Sequence, residues 1–226
     1  MTTQITENIE NPEEIKAKVV YTKTQQARYI AHLDNIDVMC KALRRIQLPY
    51  AVSQGCHPRP KLSFAPPLPL GHASFCEHFV VTLTKEIDPE WLKKALTDEL
   101  PNGMEVLEVI TPYHDKRSRN KGDCVKYRFT FNNEEACHRA LDFLGNPETS
   151  FEIESKGKMK SYKIGKAVKN SEMRSEGTGK YLIIADFIQG QEEVPSVSKI
   201  TTALAKFLGE SRDSLELIER LSLQAL

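Results

Sequence analysis

RYIAHLDN (28–35) and SQGCHPRPKLSFAPPLPLG (53–71) bring together residue types that phosphate chemistry needs. Two imidazoles, His32 and His57, stand among Arg28, Arg59 and Lys61. A histidine can act as general base on a 2′-hydroxyl, and neighbouring cations can stabilise a charged phosphorane. The same cations can hold a phosphate without reacting, and His57 can stack on a base or hydrogen-bond to it. Lys41, Arg44 and Arg45, after His32, and Ser63, after Lys61, complete the candidate nucleic-acid-binding set. His72, Cys76 and His78 have zinc-ligand chemistry, with Cys76 and His78 on one face of a strand. They fall at a turn and a strand end, so incidental cysteine and histidine are expected, with no metal and no cofactor.

The presentation of these side chains depends on proline. Pro58, Pro60, Pro66, Pro67 and Pro69 fix φ and remove backbone donors, which favours extended or polyproline geometry. Gly55 and Gly71 permit sharp turns at the ends. The expectation is a rigid loop that presents His57, Arg59, Lys61 and Ser63 at small entropic cost on binding. The plainer alternative is a crossover that covers a sheet edge. Asp34 reads as the N-cap of the next helix, whose free amides near Arg28 could take a phosphate. Otherwise Asp34 is only a cap and His32 a packed side chain.

The elements that must position these residues come in a repeated order. KAKVVYT (16–22) alternates as a strand, and Ile36, Met39, Cys40, Leu43 and Ile46 make one face of a helix. Residues 49–54 and 61–65 look extended, and EHFVVTLT (77–84) is a strand. Asp88 and Pro89 open a helix carrying Leu92, Leu96 and Leu100, and MEVLEVI (104–110) closes the set. CVKYRFTF (124–131) starts the order again. Asn133 caps a helix with Cys137, Leu141 and Leu144, Phe151–Ile153 follows as a strand, and KYLIIADF (180–187) is a buried strand. Ser196 then caps a helix with Val197, Ile200, Leu204, Phe207 and Leu208, before the final strand LELIERLSL. Two β-α-β-β-α-β units predict an α+β protein of tandem ferredoxin-like domains, each an antiparallel sheet backed by two helices. The expected organisation is a disordered acidic tail (1–15), a first domain (16–113), a basic connector (114–123) and a second domain (124–226). The second domain carries a basic arm, 156–180, read as an extended hairpin or mobile loop.

Composition narrows the function classes. Lys plus Arg equals Asp plus Glu at 31 each, so the net charge is zero, but the charges segregate. Residues 16–74 hold nine basic against two acidic side chains, and 156–181 hold eight against two. A fold that gathers these blocks would present a positive surface. Five cysteines with no C-x-x-C pair fit a reducing cytoplasm and exclude closely spaced ligands for an iron–sulfur cluster. No apolar run approaches the roughly 20 residues of a membrane helix. Phosphate-loop and nucleophile-elbow motifs are both absent.

The two quoted stretches together resemble the bacterial radical SAM-linked proteins, a family of unknown function. The resemblance rests on His32, Leu33 and Asp34, then on Ser53, Gln54, Gly55, Pro58, Pro60, Lys61, Ser63, Phe64, Pro67, Pro69 and Gly71. It spans residues 16 to about 200, beyond Pro112 in layout alone. Ala31 replaces the usual Ser, and Cys56-His57 the usual Phe-Asn or Phe-Ser. The resemblance implies a radical SAM enzyme as partner and an RNA substrate, with no established chemistry to carry over. The leading expectation is a non-catalytic cytoplasmic adaptor that presents RNA to that enzyme. Two alternatives stand beside it. One is a metal-independent endoribonuclease using His32 or His57, by analogy with tandem ferredoxin-like RNA-processing enzymes. The other is a protein–protein scaffold without RNA contact.

Overall fold

The computed structural model describes residues 15–54, 56–114, 123–155, 157–191 and 193–225. Most of the acidic tail, Gly55 and residues 115–122 of the connector lie outside the described residues. The first half runs β1 (Ile15–Lys23), α1 (His32–Arg45), β2 (Leu62–Phe64), β3 (Ala73–Leu83), α2 (Pro89–Glu99) and β4 (Val106–Ile110). The second runs β5 (Asp123–Phe131), α3 (Glu134–Gly145), β6 (Ser150–Ser155), β7 (Lys158–Lys163), β8 (Val168–Ser175), β9 (Tyr181–Gln189), α4 (Val197–Leu208) and β10 (Leu215–Ala225).

Alternation and capping account for most of these elements. In β1, Ala17, Val19 and Tyr21 are buried while Lys16, Lys18 and Val20 face outward. The Asp88 carboxylate accepts from the Glu90 amide, and Pro89 occupies the first turn, where its missing N–H costs nothing. Asn133 caps α3 by accepting from the Ala136 amide. Asp34 is not an N-cap. α1 begins at His32 with Ala31 as cap, and Asp34 is the third helical residue. A carboxylate suits either position because the positive helix end favours it in the first turn as much as at the cap.

The strands form one large, mostly antiparallel α+β sheet in the order β4-β1-β3-β10-β5-β9-β8, with β2 pairing on β3. Each half thus places its fourth strand beside its first, and its third beside the strand that precedes it. Two apolar cores lie under this sheet. One joins Val19, Tyr21, Phe79 and Val81 to Met39 and Leu43 of α1 and Leu92 and Leu96 of α2. The other joins Tyr127, Phe129, Phe131 and Phe187 to Cys137 of α3 and Ile200 and Leu204 of α4. Phe151–Ile153, expected as the second strand of the second half, lies in β6 and, among the described residues, pairs only with β7, outside the main sheet. The strand on β9 is instead β8, from the polar arm. An edge strand with one wet side needs few apolar residues, so β8 lacks the alternation that marks β5.

The halves meet where β3 and β10 pair in parallel over Ala73–Glu219 and Ser74–Arg220. Arg220 is 1% exposed. Its Nε donates to the Tyr127 hydroxyl at 3.0 Å, and Nη1 donates to Glu77 Oε1 at 3.0 Å. Nη1 and Nη2 also donate to the carbonyls of Pro66 (3.2 Å) and Pro67 (3.3 Å). Arg220→Ala strands Glu77 as a buried, unpaired charge. It is expected to cost about 3–5 kcal/mol, measured by urea unfolding, whereas Arg220→Met with Glu77→Leu recovers much of that loss.

Candidate functional site

The proline-rich segment has two parts with different jobs. Residues 50–53 and 59–61 run antiparallel. Tyr50 bridges to Leu83 and Val52 to Pro60, and the Ser53 amide donates to the Arg59 carbonyl at 2.8 Å. The Arg59 amide returns a bond to Ser53 Oγ, which pinches off a tip with Gln54, Cys56, His57 and Pro58 exposed. Gly55 of this tip lies outside the described residues. Leu62 and Phe64 then pack on the first core through β2. Pro66–Pro69 crosses to the junction and places two carbonyls on Arg220. Gly71 has φ +83°, which makes the turn back into β3.

The predicted nucleic-acid set is divided among several surfaces. Arg28 lies 4.8 Å from the Tyr29 ring centroid and donates to its hydroxyl at 2.6 Å. Arg45 is paired with Glu99, and Lys41 and Arg44 are exposed on α1. Arg44 and Arg59 both act electrostatically on the Cys40 thiol, which nevertheless lies above its ordinary range because burial raises it most. Lys61 and Ser63 instead line a groove of about 390 Å³ on the outer sheet face with Lys16, Thr82 and Tyr113. Lys18 adds its ammonium 5.7 Å from the Tyr113 ring. His32 stands edge-on to Phe64, its ring 6.0 Å away, on a different element from His57.

His72, Cys76 and His78, in the turn before β3 and on β3 itself, are buried or half-buried. No group of three or more His, Cys, Asp or Glu among the described residues could hold a metal ion, so these three do not form a ligand set. Burial, with the Arg220 charge behind it, lowers the His72 pKa to about 4. Its ring packs edge-on to Tyr127 at 6.2 Å. Burial likewise pushes the Cys76 thiol up to about 11.

A strongly basic concavity comes from the arm rather than the loop. Between the β6–β7 hairpin, the turn after it and the start of α4 lies a cleft of about 790 Å³, lined by Lys160, Lys163, Lys166 and Lys199 with Tyr162. Lys199 donates to the Tyr162 hydroxyl at 2.5 Å, with its ammonium 4.5 Å from that ring, and Phe151 stacks on Tyr162 across the hairpin. Lys163 pairs with Glu148 at 2.9 Å and Lys166 with Glu193 at 2.7 Å, all four side chains more than half exposed. The charge count of residues 156–181 pointed to this arm. The contribution of Lys199 depends on α4 packing beside the hairpin, which leaves no local signal.

Residues 16–198 match the family described as "Uncharacterized protein conserved in bacteria (DUF2344)". The chain belongs to this family. Both quoted motif stretches of this DUF2344 chain fall inside the match. No curated protein matches the sequence. Among solved structures, an unknown protein from Galdieria sulphuraria aligns at 13% identity and a TM-score of 0.25, covering 95% of this chain and 99% of that one. A dye-decolorizing protein from V. cholerae aligns at 11% and 0.25, covering 93% and 92%. DyPB from Rhodococcus jostii RHA1 aligns at 11% and 0.23, covering 93% and 91%. Likeness at these TM-scores carries no argument about the DUF2344 chain. Among its described residues, no helix is long and apolar enough to cross a membrane.

His72 makes the junction acid-sensitive. The unfolded chain binds a proton at this imidazole near pH 6.5, and the native chain only near pH 4. The stability associated with neutral His72 is therefore complete above pH 6.5 and falls as the pH drops from 6.5 to 4, by about 3 kcal/mol at most. His72→Phe is expected to flatten that part of a stability–pH curve measured by urea unfolding.

Proposed function

We propose that the protein is a non-catalytic RNA-binding adaptor built from two ferredoxin-like units, 16–113 and 124–226, joined by the basic connector 114–123. The strand order of each half, fourth–first–third–second, supports the ferredoxin-like reading. The observation that carries RNA binding is the cleft of four lysines around Tyr162. Exposed ion pairs such as Lys163–Glu148 and Lys166–Glu193 are worth about 1 kcal/mol or less, so a phosphate displaces the carboxylates at little cost. Phe151 and Lys199 both contact the Tyr162 ring, so this cleft reads the backbone rather than stacked bases. The groove around Lys16, Lys61 and Tyr113 offers a second backbone contact in the first half. The resemblance to radical SAM-linked proteins supports a cytoplasmic radical SAM enzyme as the partner that receives the RNA.

Fluorescence anisotropy with a single-stranded RNA oligonucleotide, over a range of salt concentrations, tests this reading. Wild-type affinity is expected to fall steeply with salt. Lys160→Glu with Lys163→Glu is expected to lose tenfold or more and to flatten the log–log salt slope by about 0.7 per lost contact. Absence of wild-type binding, or a double variant with unchanged affinity and slope, overturns it.

A further inference from the structure

A second cleft, of about 510 Å³, lies between Pro66–Pro69 of the first half and the place where β9 ends and α4 begins. Arg220 is among its lining residues, and none of the described ones is Asp or Glu. The Arg220 charge is offset in part by Glu77 behind it. α4, 12 residues long, begins here without a side-chain cap, because the Ser196 hydroxyl makes no hydrogen bond to the helix. The Lys199 and Ile200 amides reach the Ser196 carbonyl, while those of Val197 and Ser198 have no partner among the described residues. Two amides and the exposed hydroxyls of Ser196 and Ser198 therefore stand at the positive end of the helix. An independent observation points to a ligand. Gln189 lines the same cleft, is 9% exposed, and has an Nε2 donor with no hydrogen-bond partner. A buried donor left unpaired costs stability unless something accepts from it.

We propose that this cleft binds a phosphate monoester, with the Val197 and Ser198 amides, the two serine hydroxyls and the Gln189 carboxamide donating to its oxygens. A phosphate fits this donor set better than a carboxylate, since it brings three terminal oxygens instead of two. Pro66, Pro67, Leu68 and Pro69 line the cleft beside the body of the ester. This site does not depend on the lysine cleft, with which it shares only Val194 among the described lining residues.

NMR titration of the full chain with inorganic phosphate, with a nucleoside 5′-monophosphate and with acetate tests the site. Saturable shifts at the Val197 and Ser198 amides and the Gln189 side chain are expected with both phosphates, and at most weakly with acetate. A gain for the nucleotide assigns the ester as ligand, and equal binding assigns the free ion; both outcomes support the anion site. Ser198→Asp places a carboxylate where a helix N-terminus favours it, so the variant keeps its melting temperature but loses tenfold or more in phosphate affinity. Lys160→Glu with Lys163→Glu retains phosphate binding even if RNA binding is lost, which separates this site from the RNA reading. No shift with either phosphate, shifts confined to the lysine cleft, acetate binding as tight as phosphate, or unchanged affinity in Ser198→Asp overturns the proposal.

Discussion

A buried guanidinium keeps its charge, so burying Arg220 imposes a demand that the surrounding chain must meet with acceptors. Those acceptors come from three places: Glu77 on β3, Tyr127 on β5 and the consecutive carbonyls of Pro66 and Pro67. The β3–β10 pairing extends over only two residue pairs, too short a ladder to orient two halves by itself. Arg220 supplies the missing specification, because its donors are satisfied only when both halves and the proline segment are in place. The same charge helps keep His72 neutral, and the Arg220 carbonyl accepts from the Cys76 thiol.

This arrangement explains the stiffness of the proline-rich stretch. Proline offers a carbonyl without a competing backbone donor, and its fixed φ holds that carbonyl in place. Pro66 and Pro67 can therefore serve as a preset receptor for a guanidinium, while Leu62 and Phe64 anchor the chain just before them. In the tip, Gln54, Cys56, His57 and Pro58 are exposed. The segment after β2 is thus a structural crossover, and the exposed tip lies before β2.

Much of the architecture could be read from local pattern. Alternation located β1 and β5, apolar strand patterns located β3 and β9, and Asp88 and Asn133 identified two helix starts through their caps. Weak pattern put the second strand of the second half at Phe151–Ile153 instead of at β8, whose polar residues suit an exposed edge, and Asp34, read as the cap of α1, is its third residue. The candidate site was less visible. Charge counting found the arm but could not bring Lys199 to it, and motif reading gave Arg28, Arg45, Arg59 and Lys61 one shared role that the fold divides among several surfaces.

Sequence alone determined the α+β class, most of the element order, the segregation of charge into blocks and the fixed φ angles of the prolines from Pro58 to Pro69, because each follows from interactions within a few residues. The tertiary structure decided the rest. Arg220 in the sequence is one charge in an ordinary amphipathic strand; its burial follows from a β3–β10 contact between residues nearly 150 positions apart. The lysine cleft depends on α4 packing beside a hairpin, and the anion-favouring start of α4 on a proline segment from the other half. Such sites are made by surfaces that meet only on folding, and no local periodicity encodes that meeting.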